Sequence, residues 1–258
     1  MIEPIAYVRR LEGKSNAHLI RFNDGKEYAV KYFQPGFEKS LPNEWIAYCL
    51  ARYLGLPIPF ARLVEIPEEF SSDVPQLAQL NFSKTQFASL FVPNCSNGHQ
   101  VRKVAEISNH RSLAAIILFD YWLYNRDRTL KNILLHEENQ NSYHLRVIDH
   151  AEIFGSYCWT LPYLSKLPAK VMKSRTHQLM ALFIEDKEAF GEGLEIIQRI
   201  PTFLIEEIVS LIPEDWNVPQ EEKRAIVNAL VHRRKKYLPR LIDKFIQKVY
   251  LPLHEKNE

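Results

Sequence analysis

The spacing of apolar residues changes near residue 93 from a period of two to the helical period, and no single-layer architecture accommodates both patterns. Up to that point apolar residues alternate as strands require, in Ile5-Ala6-Tyr7-Val8, in His18-Leu19-Ile20-Arg21-Phe22 and in Tyr28-Ala29-Val30-Lys31-Tyr32-Phe33. Asn23-Asp24-Gly25-Lys26 predicts a hairpin turn between the last two, because Asp-Gly suits positive φ. Pro42-Asn43-Glu44 opens one helix and so places Glu44 in its first turn. Trp45, Tyr48, Cys49, Tyr53 and Leu54 recur at helical spacing, and Gly55 ends it. Residues 58–66 and 86–92 read as extended.

The turn formers Pro93-Asn94-Cys95-Ser96-Asn97-Gly98 set a boundary. Residues 1–93 are expected to form a small β-rich unit with one helix, and residues 94–258 a larger helical one. In the second unit helical spacing governs 111–124, several segments within 176–211, and a long amphipathic stretch over 220–250. Two short extended runs, 133–136 and 144–148, sit inside it, joined by polar residues 137–143. The expected class is α+β.

Composition narrows the function. The 258 residues are enough for one large domain or two modest ones. With 33 Lys+Arg against 31 Asp+Glu the net charge is +2, which excludes a whole-surface attraction to nucleic acid or membrane, and neither is expected as a partner. Cys49, Cys95 and Cys158 are far apart and form no C-x-x-C pair, so neither a disulfide framework nor a zinc site is indicated. The first thirteen residues, with Glu3 early and no continuous apolar run, do not read as a signal peptide. The apolar stretch 112–124 is interrupted by Asp120 and falls short of the ~20 residues of a membrane helix. A cytoplasmic location is expected.

The segment that carries chemistry is Asn125-Arg126-Asp127-Arg128-Thr129-Leu130-Lys131-Asn132, a dense polar run between an apolar helix and an apolar strand. Asp127 and Asn132 are five apart, the spacing at which a kinase catalytic loop presents a carboxylate to an acceptor hydroxyl and an amide oxygen to magnesium. A hydroxyl nucleophile must lose a proton, which a carboxylate accepts, and a hard cation takes oxygen ligands. The hairpin that follows returns the chain to the loop and ends at Asp149, a second candidate metal ligand. The plain structural reading pairs Asp149 instead with Arg126 or Arg128. Upstream, Tyr28-Ala29-Val30-Lys31 has the setting of a strand lysine that neutralises nucleotide phosphates, and Glu44 could hold its ammonium.

These residues resemble the HipA-like kinases, a bacterial branch of the protein-kinase-like fold. The resemblance rests on Asp127-Arg128-x-x-Lys131-Asn132, on Ile148-Asp149-His150 in place of D-F-G, and on Asn43-Glu44 followed by Leu54-Gly55-Leu56-Pro57-Ile58-Pro59. It implies a bilobal fold binding ATP and Mg²⁺ between the lobes and passing the γ-phosphoryl group to a Ser/Thr hydroxyl. Asp127 and Lys131 take catalytic places, Asn132 and Asp149 the metal ligands', and Lys31 with Glu44 the phosphate-positioning pair's. The nucleotide-covering loop is reduced to Gly13-Lys14-Ser15-Asn16, in keeping with only 8 glycines in the chain, so Lys14 and the Ser15 hydroxyl stand in for backbone contacts. A nucleotide-binding pseudokinase serving as an interaction module and a small-molecule kinase of the same fold are the alternatives. A protein substrate or regulatory partner is expected but not specified.

Three further features have structural readings. Asp120, amid Phe119, Tyr121 and Trp122, is expected to anchor the polar loop by hydrogen bonds. His232-Arg233-Arg234-Lys235-Lys236 lies in an amphipathic stretch and is expected to be a solvated face. The four Trp residues are expected in the core.

Overall fold

The computed structural model describes residues 2–78, 80 and 83–255. The alternating stretches pair into a five-stranded antiparallel sheet made of β1 (Pro4–Arg10), β2 (His18–Phe22), β3 (Glu27–Lys31), β4 (Ala61–Glu65) and β5 (Thr85–Leu90), in the order β1-β2-β3-β5-β4. Gly25 has φ 76° in the β2–β3 turn, which Asp24 fastens through Lys26 N–H (3.0 Å) and the Tyr28 hydroxyl (2.7 Å). Strand alternation sends Tyr28 and Val30 into a small core on one face of the sheet, while Ala29 and Lys31 line a cleft on the other.

Helix α1 spans Ser40–Tyr53 and starts earlier than Pro42-Asn43-Glu44 suggests. Pro42 sits in the first turn, where its missing N–H costs nothing, so it marks the interior of that turn rather than its start. Glu44 is therefore the fifth helical residue, beyond the turn in which the helix dipole would favour it. Ile46, Ala47, Leu50 and Ala51 bury one face of α1 in the large core, together with Phe87 of β5. Between β4 and β5 the chain forms a short helix, α2 (Glu68–Ser72).

A second sheet begins at Cys95. It contains β6 (Cys95–Asn97), β7 (Glu106–Ile107), β8 (Ile133–Asn139) and β9 (Ser142–Val147), in the order β6-β8-β9-β7. β7 pairs parallel to β9, which no local pattern announces, because two residues are too few to alternate. The β8–β9 hairpin is tighter than the polar segment 137–143 suggests. β8 runs on through the exposed polar residues Glu137, Glu138 and Asn139 to a turn at Gln140-Asn141, where Asn141 has φ 62°.

Helix α3 (Leu113–Leu123) is apolar all round and buried on nearly every side, so it forms the axis of the C-terminal part. Around it pack α4 (Leu161–Leu164), α5 (Arg175–Leu182), α6 (Glu188–Arg199), α7 (Thr202–Ser210), α8 (Gln220–His232), α9 (Leu238–Phe245) and α10 (Leu251–His254). The last three are joined by wide π turns, Arg233–Tyr237 and Ile246–Tyr250, each ending two residues before a proline, Pro239 or Pro252. A proline cannot donate to the carbonyl one turn back and its ring crowds it, and a wider turn relieves both problems.

The first of these turns corrects the expectation of a solvated basic face. Arg233 and Arg234 are buried, and only His232, Lys235 and Lys236 of the run are exposed. Arg233 donates from Nε to Trp122 O (2.9 Å), from Nη2 to Tyr121 O (2.9 Å) and from Nη1 to Pro168 O (3.0 Å). Arg234 donates to Ile200 O and to Thr202 Oγ1 (3.0 Å). Three of these bonds satisfy carbonyls at the C-terminal ends of α3 (Tyr121 and Trp122) and α6 (Ile200), which is why an amphipathic pattern carries arginine on its inner face. Trp122, Trp159 and Trp216 are buried, and Trp45 packs against the same core while donating to Ile208 O (2.9 Å). All three cysteines are free, and among the described residues no helix is long and apolar enough to cross a membrane.

Candidate active site

The polar loop follows α3 because the helix stops at Tyr124, whose φ of 52° is left-handed and breaks the helical hydrogen-bond series. Asp120, on the last turn of α3 and fully buried, then organises the loop. It accepts from Asn125 Nδ2 (2.8 Å), Arg128 Nε (2.9 Å), Arg128 Nη2 (3.2 Å) and His177 Nε2 of α5 (3.0 Å). Burial pushes its carboxyl up, but Arg128 and His177 outweigh it and hold it well below the usual carboxylate range. Arg128 also donates from Nη1 to Asn132 O (2.9 Å) and Ile148 O (2.7 Å), tying the loop to the end of the β8–β9 hairpin. Its Nη2 meets His150 Nε2 at 2.9 Å. Arginine can only donate, so this ring nitrogen accepts, and burial followed by the Arg128 charge lowers the His150 pKa to about 3.

On this frame Asp127 and Asn132 face the cleft. Asn132 Nδ2 donates to Asp127 O (2.5 Å) and Asp127 Oδ2 (3.1 Å), which fixes the amide so that Oδ1 is the atom left over. Among the described residues nothing donates to that oxygen. Asp127 is half-buried and keeps its second carboxylate oxygen clear, while Lys131 is exposed at the cleft edge.

Asp149 lies just past β9 with φ 58°, a conformation that Asp tolerates better than most residues. Its partner is neither Arg126 nor Arg128. Lys31 Nζ donates to Asp149 Oδ1 at 2.8 Å and also to Glu44 Oε1, and Glu44 Oε1 accepts the His150 backbone N–H at 3.0 Å. The arginine is consumed by Asp120, which leaves the lysine as the cation within reach. Burial raises the Asp149 carboxyl, but Lys31 outweighs it and holds the pKa at about 2. For Glu44 burial dominates, with Asp149 adding to it, and its carboxyl rises above the ordinary value despite Lys31. Lys31 is raised, because the two carboxylates exceed the cost of burial.

Asn43, beside Glu44, clamps the segment after Asp149. Its Nδ2 donates to Ala151 O (2.6 Å), Ser156 O (3.0 Å) and Ile153 O (3.3 Å), and its Oδ1 accepts from Trp159 Nε1 (2.9 Å). The cleft itself has a volume of about 700 Å³. Ala17 and Ala29 line it beside the first sheet and Leu134 and Ile148 beside the second, which gives the cleft an apolar part. Gly13, Lys14 and Ser15 lie in the β1–β2 turn at its mouth, with Gly13 at φ 137°. The residues expected to act together thus share one cleft. Tyr157 lines it as well and Glu152 lies within electrostatic reach of Asp127, Arg126 and Lys14, and neither has a sequence signal of its own.

The HipA-like kinase family model matches residues 5–248. The chain belongs to this family. The structure resembles that of the Helicobacter pylori proinflammatory kinase CtkA with a TM-score of 0.63 at 14% identity, covering 94% of this chain and 97% of that one. It also resembles the Golgi casein kinase with Mn/ADP bound, with a TM-score of 0.52 at 14% identity, covering 96% of this chain and 75% of that one. No curated protein sequence matches the chain. The fold is therefore the bilobal kinase fold, α+β, and the activity is that of a kinase-type phosphotransferase.

For a HipA-like kinase the donor set suits a nucleotide-bound divalent cation. Asn132 Oδ1 and the Asp149 carboxylate are hard oxygen donors, and among the described residues no group of three or more His, Cys, Asp or Glu could hold an ion without further ligands. Phosphate oxygens would complete such a shell. His177 is the organising residue the sequence hides most completely. It lies 57 positions from Asp120, and only the packing of α5 on α3 brings them together.

Proposed function

We propose that this HipA-like kinase is an ATP- and Mg²⁺-dependent serine/threonine protein kinase in which Asp127 accepts the proton of the acceptor hydroxyl. The observation that carries the reading is the meeting of Lys31, Glu44, Asp127, Asn132 and Asp149 in one cleft, from four separate segments of the chain. Lys31, oriented by Glu44, donates to nucleotide phosphate oxygens. Asn132 and Asp149 would hold Mg²⁺, which when bound would neutralise phosphate charge. Asp127, fixed by Asn132, takes the proton as the hydroxyl oxygen bonds to the γ-phosphorus and the bond to the β–γ bridging oxygen breaks, leaving ADP. Lys131 adds positive charge where the transferred group develops negative charge. Gly13, Lys14 and Ser15 cover the phosphates. A protein acceptor is favoured over a polycationic small molecule because Glu152 is the one acid between Asp149 and Glu185, with no Asp or Glu in residues 153–184.

The test is transfer of label from γ-labelled ATP with Mg²⁺, by wild type and Asp127→Asn. The variant is expected to lose a factor of about 10²–10⁴ in rate while still being stabilised by nucleotide. Equal labelling by both proteins would remove Asp127 from the chemistry, and nucleotide-induced stabilisation without labelling by wild type would favour the pseudokinase.

A further inference from the structure

A second concavity of the molecule lies outside the nucleotide cleft. It has a volume of about 930 Å³ and runs between α4 with the residues after it and the C-terminal half of α8. Leu164, Leu167, Ala225 and Ala229 give it an apolar floor. Its charged lining is all of one sign, Lys166 and Lys235 at the rim and Arg233 at depth, with His232 beside them and no carboxylate.

Two observations set this concavity apart from an ordinary solvated surface. Arg233 is buried, and among the described residues it has no carboxylate partner; its three bonds go to neutral carbonyls and its guanidinium lies 5.4 Å from the Tyr124 ring. Burial accordingly lowers its pKa to about 10. A buried cation left to dipoles projects an uncancelled field into the space it lines. The second observation is that the wall belongs to residues 153–184, whose charged side chains are Lys166, Lys170, Lys173 and Arg175, all exposed, with no acid among them.

The wall is also tied to the catalytic loop. The Tyr163 hydroxyl donates to Gly155 O (3.4 Å) and lies beside the Arg126 side chain, Gly155 packs on Tyr124 and Arg126, and Ser174 Oγ donates to Arg128 O (3.0 Å). A chain seated between α4 and α8 would thus lie on the lobe that carries Asp127, against a wall bonded to the catalytic loop.

We propose that the concavity between α4 and α8 docks an acidic polypeptide segment of the acceptor protein, with Asp or Glu carboxylates against Lys166, Lys235 and His232 and an apolar side chain on Leu164, Leu167 and Ala229. The proposal rests on the protein-kinase reading for its acceptor, but binding in the groove needs neither ATP nor transfer. Charge complementarity selects an acidic partner, and the apolar floor selects a polypeptide with hydrophobic side chains over a nucleic acid, whose backbone offers none to it.

Fluorescence anisotropy of a labelled fifteen-residue peptide of alternating Glu and Leu around a central Ser tests it, without nucleotide, against the full chain. Lys166 and Lys235 are exposed, so the double variant Lys166→Glu/Lys235→Glu is expected to keep the wild-type circular dichroism and Tm. It should bind the peptide at least about tenfold more weakly, and binding by wild type should weaken as salt rises. Should the double variant lose its fold, Lys166→Ala and Lys235→Ala singly give the same comparison, each with a smaller loss. Equal binding by wild type and variant, no binding by wild type, or preference for the Lys/Leu counterpart would overturn the proposal. So would tighter, charge-reversal-sensitive binding of single-stranded DNA or of phosphatidylserine vesicles. Because the readout is independent of phosphotransfer, a kinase that labels proteins but ignores the peptide refutes only the groove, and an inactive chain that binds the peptide refutes only the kinase reading.

Discussion

Two clusters of charge meet at His150, and they are built on opposite principles. Its ring accepts from Arg128, in the cluster centred on Asp120, while its backbone N–H donates to Glu44, in the cluster centred on Lys31. In the first cluster Asp120 and Arg128 have fully buried side chains, and neither carboxylate oxygen is without a protein donor. In the second, one lysine serves two carboxylates, and the Asp149 side chain is 29% exposed toward the cleft. Balanced, closed charge fixes geometry. Unbalanced charge at the edge of a cavity, with acids in excess of cations, is free to exchange its partner for a ligand cation, so the chemistry belongs to the second cluster and the rigidity to the first.

The sharpest way to break this contrast is Asp120→Ala, which strands Arg128 as a buried cation. It should lower stability by about 3–5 kcal/mol, read as a fall in the urea midpoint, and a loss under about 1 kcal/mol would mean that the cluster is not the anchor of the loop.

An effect of comparable size, spread over several pH units, should follow pH through His150. Its folded pKa of about 3 lies below the unfolded value near 6.5, so the unfolded state takes up the proton first. Stability is then lost as pH falls below about 6.5, by up to ~1.4 kcal/mol per unit from this group until about pH 3. His150→Gln, whose side-chain oxygen can still accept from Arg128, should flatten that limb in urea titrations between pH 6.5 and 4. An unchanged limb would assign the loss to other groups.

Lys31→Met sharpens the other side of the comparison. Glu44 is already raised and can bind a proton between the two carboxylates, so the expected loss is only about 1–3 kcal/mol, larger at pH 8 than at pH 5. Added Mg²⁺ should recover part of it at pH 8 but nothing in Lys31→Met/Asp149→Asn. Recovery in the double variant would place the ion elsewhere.

The smallest effect on folding is expected for Lys131→Ala. The side chain is exposed at the cleft edge, so the urea midpoint should stay within about 0.5 kcal/mol of wild type, whereas phosphotransfer should fall several-fold. A change in stability as large as that of Lys31→Met would make Lys131 part of the frame.

Much of this site is legible in the chain because its chemistry uses fixed short spacings. Asp127 and Asn132 share one loop, Asp149 closes the hairpin behind them, and Lys31 stands on an alternating strand whose face the period of two determines. Other roles are not legible, because their partners come from far away. Which cation Asp149 takes depends on Asp120 having already engaged Arg128, and a local reading offers the arginine with equal right. Arg233 and Arg234 look like solvent-facing charges until the ends of α3 and α6 present their unpaired carbonyls. Pro42 looks like a helix start, although the missing N–H is tolerated anywhere in the first turn.

The sequence by itself determined the α+β class, the order of the lysine, glutamate, aspartate and asparagine along the chain, and a covering loop with a single glycine. These follow from periodicity and spacing, which are local. Only the tertiary structure decided that Glu44 and Asp149 share one lysine, that His177 and His150 complete the frame under the loop, and that a basic run splits into two buried arginines and an exposed rim beside a groove. Each of those outcomes is a competition among donors and acceptors distant in sequence, and burial, which makes an unpaired charge costly, settles it.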